Sequence, residues 1–208
     1  LGDVYKRQVW EDASNKESYG VKRRYLLGDQ LDSVMNYPFR SAIMNYVLGG
    51  SPFDFKNSIM TILENYPKPS VDVLMNSIST HDIERAINIL GGESCEGKSK
   101  DWMCSHWLTN EEFELGRNRL KCAMALQYFL PGVPCIYYGD EAGQQGYKDP
   151  FNRRCYPWGK EDTQLIEYTK LLAKVRNSSK VFADGALKFL YIDDNVISFA
   201  RMKTHRQR

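Results

Sequence analysis

Histidine and aspartate stand side by side at His81–Asp82, inside the stretch STHDIER (Ser79–Arg85). An imidazole beside a carboxylate is a pair of hydrogen-bonding groups for a polar ligand, yet an Asp there also serves as the N-cap of a helix opening at Ile83. A second acidic pair, Asp140–Glu141, follows the apolar run Val133–Tyr138 and has the residue types for acid–base work. Adjacent residues of a strand point to opposite faces, so these two are not expected to act together. Asp149 and Arg153 (D-P-x-x-R) read, as residues alone, as a surface ion pair in a loop, contributing about 0–1 kcal/mol. Arg85 reads as a charge on a helix face. Cys95, Cys104 and His106 include metal-donor types without Cys-x-x-Cys spacing, and no metal is expected there. Cys122 and Cys135 sit in apolar surroundings and are expected in the core.

These groups need a scaffold, and the chain alternates in a way that supplies one. Ser33–Tyr37 is a short apolar run stopped by Pro38, with a helical segment after it to Gly49–Gly50. A second helix is expected from Asn57 or Ser58, as cap, to Tyr66, closed by Pro67 and Pro69. Val71–Ile78 is the next strand candidate, and a helix follows from about Ile83 to Leu90. The polar stretch Glu93–His106 has no clear periodicity. Thr109 with Glu112 forms a capping-box pair opening a helix to about Phe129. Pro131–Gly132 then turns the chain into the strand candidate Val133–Tyr138. A helix over about Asp162–Asn177 precedes two strands, Ala186–Ile192 and Val196–Met202, joined across an Asp193–Asn195 turn. Strands alternating with helices imply a parallel sheet covered by helices. Asn36, His81–Asp82 and Asp140–Glu141 each fall just after a strand, where ligands sit in α/β sheets and barrels.

Composition narrows the partners. The formal charge of +2 argues against nucleic acid or an anionic membrane, and no apolar run approaches a membrane span. The five cysteines, odd in number and widely spaced, form no disulfide framework and point to a reducing, cytoplasmic setting. No G-x-G-x-x-G loop is present, which removes a dinucleotide-binding reading. Thirteen Tyr, nine Phe and four Trp suit a sugar-binding cleft or an ordinary core equally well.

Four stretches together resemble the α-amylase family of glycoside hydrolases (family 13), and especially its neopullulanase/cyclomaltodextrinase-like branch. They are VWEDASNK (Val9–Lys16), LDSVMNYPFR (Leu31–Arg40), STHDIER, and PGVPCIYYGDEAG (Pro131–Gly143) leading into KDPFNRRCYPW (Lys148–Trp158). The resemblance implies that Asp82 is the carboxylate that binds the sugar 2-OH and 3-OH and stabilises the transition state, with His81 bonded to the same ring. It implies that Asp149 and Arg153 hold a sugar on the non-reducing side of the cleaved bond. Trp10 resembles an aromatic lining the leaving-group subsite and is otherwise core; Tyr37 is a weaker candidate for the same cleft. In the family the GDE segment at Asp140–Glu141 shapes the base of the site.

The fold class so implied is α/β: the C-terminal half of a (β/α)8 TIM barrel, about strands 5–8, followed by the start of an antiparallel β domain. Residues 1–8 are expected to be a non-native leader, 9–178 a partial barrel, and 179–208 the beginning of the β domain. The implied function is a retaining α-glycosidase acting on α-glucans, maltooligosaccharides or cyclodextrins. A transglycosylase and a non-catalytic sugar-binding relative are the alternatives. No G-x-R-x-D segment carries a nucleophile here, and Arg7–Gln8 stand where the family has its acid/base Glu, so the 208 residues alone are expected to be inactive. No cofactor is expected, although calcium occurs in the wider family; the partner is an α-glucan oligosaccharide, and the native protein is a candidate homo-oligomer.

Overall fold

The computed structural model describes residues 7–9, 11–15, 17–18, 20–22, 24–28 and 30–203. Most of the expected leader, residues 1–6, lies outside them. In chain order the elements are β1 (Arg7–Val9), β2 (Glu17–Ser18), β3 (Val21–Lys22), β4 (Val34–Asn36), α1 (Tyr37–Val47), α2 (Pro52–Asn65), α3 (Lys68–Asp72) and β5 (Met75–Asn76). Then follow α4 (Ala86–Gly91), α5 (Lys100–Ser105), α6 (Asn110–Phe129), β6 (Val133–Pro134), α7 (Thr163–Asn177), α8 (Val181–Asp184), β7 (Ala186–Ile192) and β8 (Ile197–Met202).

Two compact units divide the chain. One holds the described residues up to Ser77, Gln127–Cys135, and those from Arg176 onward; the other holds Ile78–Leu126 and Ile136–Val175. The first contains a four-stranded sheet in the order β1-β4-β5-β6, all parallel. Each strand adds beside the one before it in the chain. A doubly wound nucleotide fold reverses its strand order at a switch point, whereas a barrel wall does not.

Amides lock the ends of this sheet. The buried Asn36 donates from Nδ2 to Asn76 Oδ1 at 2.8 Å, and Asn76 Nδ2 donates to the Pro131 carbonyl at 2.8 Å. Gln127 Nε2 donates to the carbonyls of both Asn76 and Cys135 at 2.9 Å. Asn36 also caps α1 by accepting from the Phe39 amide. Asn36, the last residue of β4 and not a residue beyond it, is therefore consumed in holding strands together, since buried amides must be paired. Gly132, at φ +108°, immediately precedes β6, and a Cβ there would meet the Leu74 carbonyl at 2.7 Å. Phe39, Ile43, Phe55, Ile59, Ile62 and Leu74 fill the core of this unit. The β7–β8 hairpin forms as its Asp193 turn requires, with Asp193 Oδ1 accepting from the Asn195 and Val196 amides.

Several boundaries differ from the sequence expectation, each for a local reason. Helix α2 starts at Pro52, because Ser51 Oγ accepts from the Phe53 and Asp54 amides and proline suits the first helical position. Lys68–Asp72 is helical with Pro69 in its first turn, so the expected strand Val71–Ile78 contracts to Met75–Asn76. Within Val133–Tyr138, only Val133–Pro134 pair as a strand.

The second unit opens at Ile78. Ser99 Oγ accepts from the Trp102 amide and starts α5, a short helix inside the stretch expected to be irregular. The capping box of α6 is present in both directions: Thr109 N–H donates to Glu112 Oε2 at 2.8 Å, and Glu112 N–H to Thr109 Oγ1 at 3.2 Å. Asp162 caps α7 by accepting from the Leu165 amide. Ile87, Leu90, Leu120, Met124, Tyr147 and Leu165 form the core here. Cys122 is exposed rather than core, while the buried thiol is Cys95. Among the described residues no helix is long and apolar enough to cross a membrane.

Candidate active site

The stretch STHDIER folds as a turn and not as the start of a helix. Helix α4 begins only at Ala86, whose amide donates to Ser79 Oγ at 2.9 Å. Asp82 is thus not the cap of that helix; its own amide donates to Thr80 Oγ1 at 3.3 Å. Its carboxylate lies 3.2 Å from His81 Nε2, with the side chains 31% and 51% exposed respectively. An acceptor and an imidazole are held together and open to solvent.

Asn152 holds the turn from beneath. This residue is completely buried, and its Nδ2 donates to the carbonyls of His81 at 2.9 Å and Ile83 at 2.8 Å. Its own carbonyl accepts from Arg85 Nε at 2.9 Å. Arg85, expected on a helix face, is instead fully buried. Its guanidinium also donates to the Tyr138 carbonyl and, at 3.2 Å, to Asp140 Oδ1. It lies over the rings of Tyr137 and Tyr138, at 4.1 and 4.6 Å from their centroids. Five donors in a planar fork allow one arginine to tie this many acceptors at once.

Asp140 is accordingly a structural carboxylate. It sits in a short 3₁₀ turn, not a strand, so the alternation argument for Asp140–Glu141 does not apply. Gly139 and Gly143 bracket that turn at φ +87° and +73°. Burial pushes the Asp140 carboxyl up to about 6, against the opposing pull of the Arg85 charge and of the Ser79 hydroxyl. Residues 79 and 85 of one motif and residue 140 of another thereby interlock. The base of the turn is closed, while the side chains of His81 and Asp82 above it reach solvent.

Asp149 and Arg153 meet as an ion pair, Nε to Oδ1 at 2.6 Å, with both side chains about half exposed. They flank Asn152 in sequence, so the loop carrying the pair is the one whose amide grips the His81–Asp82 turn. Trp10 lies outside the described residues. Tyr37 is buried at the start of α1 and belongs to the core of the first unit. Two residues of this site escaped the sequence reading. Asn152 lay inside the quoted segment KDPFNRRCYPW, with nothing in its spacing to mark it. Arg85 reads in the sequence as an ordinary charge on a helix face.

Chemically, the turn presents a carboxylate acceptor and an imidazole to solvent on a backbone held by Asn152. The amylopullulanase of Thermoanaerobacter thermohydrosulfuricus is 38% identical over 204 residues, 92% of this chain and 13% of that protein. The cyclomaltodextrinase of Geobacillus thermopakistaniensis (strain MAS1) is 30% identical over 207 residues, 97% of this chain and 30% of that protein. A solved cyclomaltodextrinase structure superposes with a TM-score of 0.73 at 27% identity, covering 94% of this chain and 29% of its own. The chain therefore spans less than a third of the length of these curated relatives. The alpha-amylase catalytic-domain family matches residues 9–184. With parallel strands added in chain order, the chain belongs to the alpha-amylase family of glycoside hydrolases and to its TIM-barrel fold.

Proposed function

We propose that these residues form about strands 5–8 of a retaining α-glucan hydrolase and carry its transition-state-stabilising carboxylate, Asp82. The observation that carries this reading is the His81–Asp82 pair at 3.2 Å, exposed above and gripped through its backbone by Asn152. Bonds to a sugar 2-OH tighten as positive charge develops at the anomeric carbon and supply several kcal/mol in such reactions. A carboxylate whose backbone is already fixed needs no reorganisation at that moment. His81 would bond the same ring, and Asp149 with Arg153 a sugar on the non-reducing side. Trp10 would line the leaving-group side. Relatives named amylopullulanase and cyclomaltodextrinase support an α-linked glucan as substrate.

Retaining chemistry needs a nucleophile and an acid/base about 5–5.5 Å apart. The 208 residues hold no G-x-R-x-D nucleophile segment, and Gln8 stands at the acid/base position. A glutamine amide cannot protonate a leaving alkoxide. On this reading the isolated chain does not turn over. Purified chain incubated with maltohexaose, cyclodextrin and pullulan should release no more reducing sugar than its Asp82→Asn variant; a clear excess would overturn the claim. The role of Asp82 is read in a chimera in which residues 9–184 replace the matching segment of the Geobacillus cyclomaltodextrinase. There Asp82→Asn should lower kcat about a thousandfold, the equivalent of several kcal/mol. An unchanged kcat would remove Asp82 from the mechanism.

A further inference from the structure

The polar stretch Glu93–His106, with Trp107 and Leu108 after it, folds over one loop of its own unit. Cys95 and Leu108, both buried, root the segment in the core. Between them, the Trp102 ring stacks on His106 with centroids 4.0 Å apart, and the two rings meet Tyr147 at 4.8 and 5.9 Å. Tyr147 is fully buried and stands two residues before Asp149. Beside it, Lys148 Nζ lies 2.7 Å from Glu96 Oε2, and Gln145 Oε1 accepts from the Leu108 amide at 2.9 Å. On the other flank, Arg154 directly follows Arg153. Its Nη2 donates to the Cys104 carbonyl at 2.6 Å, and its guanidinium lies 4.1 Å from the centroid of the Trp107 ring. One segment thus holds the chain on both sides of the Asp149–Arg153 pair.

Two other ties of this loop run to the frame beneath the His81–Asp82 turn. The Gly146 carbonyl accepts from the Arg85 amide at 2.9 Å, and Asn152 grips the turn itself. They fix the inner points of the loop, whereas the residues next to Asp149 and Arg153 are gripped by the segment 93–108. An exposed ion pair such as Lys148–Glu96 adds little by itself. The stacked rings and the bonds to a main-chain carbonyl and amide therefore do most of the holding. Charged side chains that must meet the hydroxyls of a sugar ring have to stand within about 0.5 Å of the productive geometry. That tolerance is tighter than a loop held only from beneath would keep.

We propose that the segment 93–108 is a positioning element. Without touching the sugar, it sets where Asp149 and Arg153 stand, and so how firmly a glucan is held on the non-reducing side of the cleaved bond. This rests on the sugar-holding role proposed above for that pair. Trp102→Ala tests it, because the Trp102 amide and not its ring bonds Ser99 Oγ, so the cap of α5 survives the substitution. Hydrogen exchange of the 208-residue chain, read by mass spectrometry, should rise about tenfold in peptides covering 145–154 and stay unchanged over α6. Trp102→Phe, which keeps a ring, should recover most of the protection. In the cyclomaltodextrinase chimera described above, Trp102→Ala should raise KM for maltohexaose about tenfold and lower kcat far less, again with recovery in Trp102→Phe. Unchanged exchange over 145–154 overturns the positioning role, as does a rise shared equally by α6, which would mean that the ring only stabilises the unit. If Asp149→Ala raises KM while Trp102→Ala leaves it unchanged, the sugar-holding reading stands and the positioning role does not. An unchanged KM in Asp149→Ala overturns both.

Discussion

The side-chain amide of Asn152 donates to the main-chain carbonyl of His81 at 2.9 Å, across 71 residues of sequence. The same amide reaches the Ile83 carbonyl at 2.8 Å, so the turn is held on both sides of Asp82. The residue making these bonds exposes no surface, while the imidazole and carboxylate of the turn stay open. Rigidity comes from below and the two polar side chains face outward, the arrangement that the proposed transition-state stabiliser would need.

Replacing Asn152 with Ala removes both donors and leaves two carbonyls without partners. We expect a loss of about 2 kcal/mol or more in urea unfolding followed by tyrosine and tryptophan fluorescence. Asn152→Asp keeps the shape but turns a donor into an acceptor, and should not restore the loss. A wild-type midpoint in either variant would mean that the turn is held by other contacts.

Arg85 and Asp140 form a buried ion pair at 3.2 Å, with neither side chain appreciably exposed. Arg85→Met at pH 7 strands a buried carboxylate and should cost about 3–5 kcal/mol. Adding Asp140→Asn to Arg85→Met should recover part of that loss, because the unpaired charge is then gone. A double-mutant cycle measures the coupling, and strictly additive effects would argue against a direct pair.

The pH dependence of stability follows from the same carboxyl. Burial raises the Asp140 pKa from 3.8 to about 6 in the folded chain. Between those values the folded state holds a proton that the unfolded state has released, so this group stabilises the fold below about pH 4 and loses that contribution as pH rises through about 6. The stability difference between wild type and Asp140→Asn should therefore shift against the wild type over that window and level off above it. A difference that is flat from pH 4 to 7 would show that the carboxyl titrates normally.

Thiol labelling distinguishes the cysteines. Cys104, Cys122 and Cys155 are exposed and should react readily with iodoacetamide in the native state. Cys95 is 2% exposed, and burial, with the Glu84 carboxylate nearby, pushes its thiol up to about 11. Both effects suppress the reactive thiolate, so Cys95 should label only on unfolding. Mass spectrometry of peptides from native and denatured samples reads this directly.

Local interactions were legible in the sequence. The Thr109–Glu112 capping box, the Asp193 hairpin turn and the alternation of apolar runs with helical segments each involve residues a few positions apart, and each formed as its chemistry demands. The order of the motifs along the chain likewise marks the family. Short strands were overestimated. Pairing is decided by the neighbouring strand, and at Val71–Ile78 the turn chemistry of Pro67 and Pro69 prevailed over the apolar pattern.

The His81–Asp82 dipeptide, read together with the other family motifs, pointed to the candidate site, but what holds it was decided in three dimensions. Arg85 reads as a surface charge until Asn152, 67 residues on, and Asp140, 55 residues on, enclose it. Asp140 reads as an acid/base candidate until burial and that arginine consume it. Cys122 reads as core until the face of α6 that carries it proves to be the outer one. Burial is a property of what the rest of the chain brings to a residue, and only contacts between distant segments settle which polar groups are sealed in the frame and which stay open for a ligand.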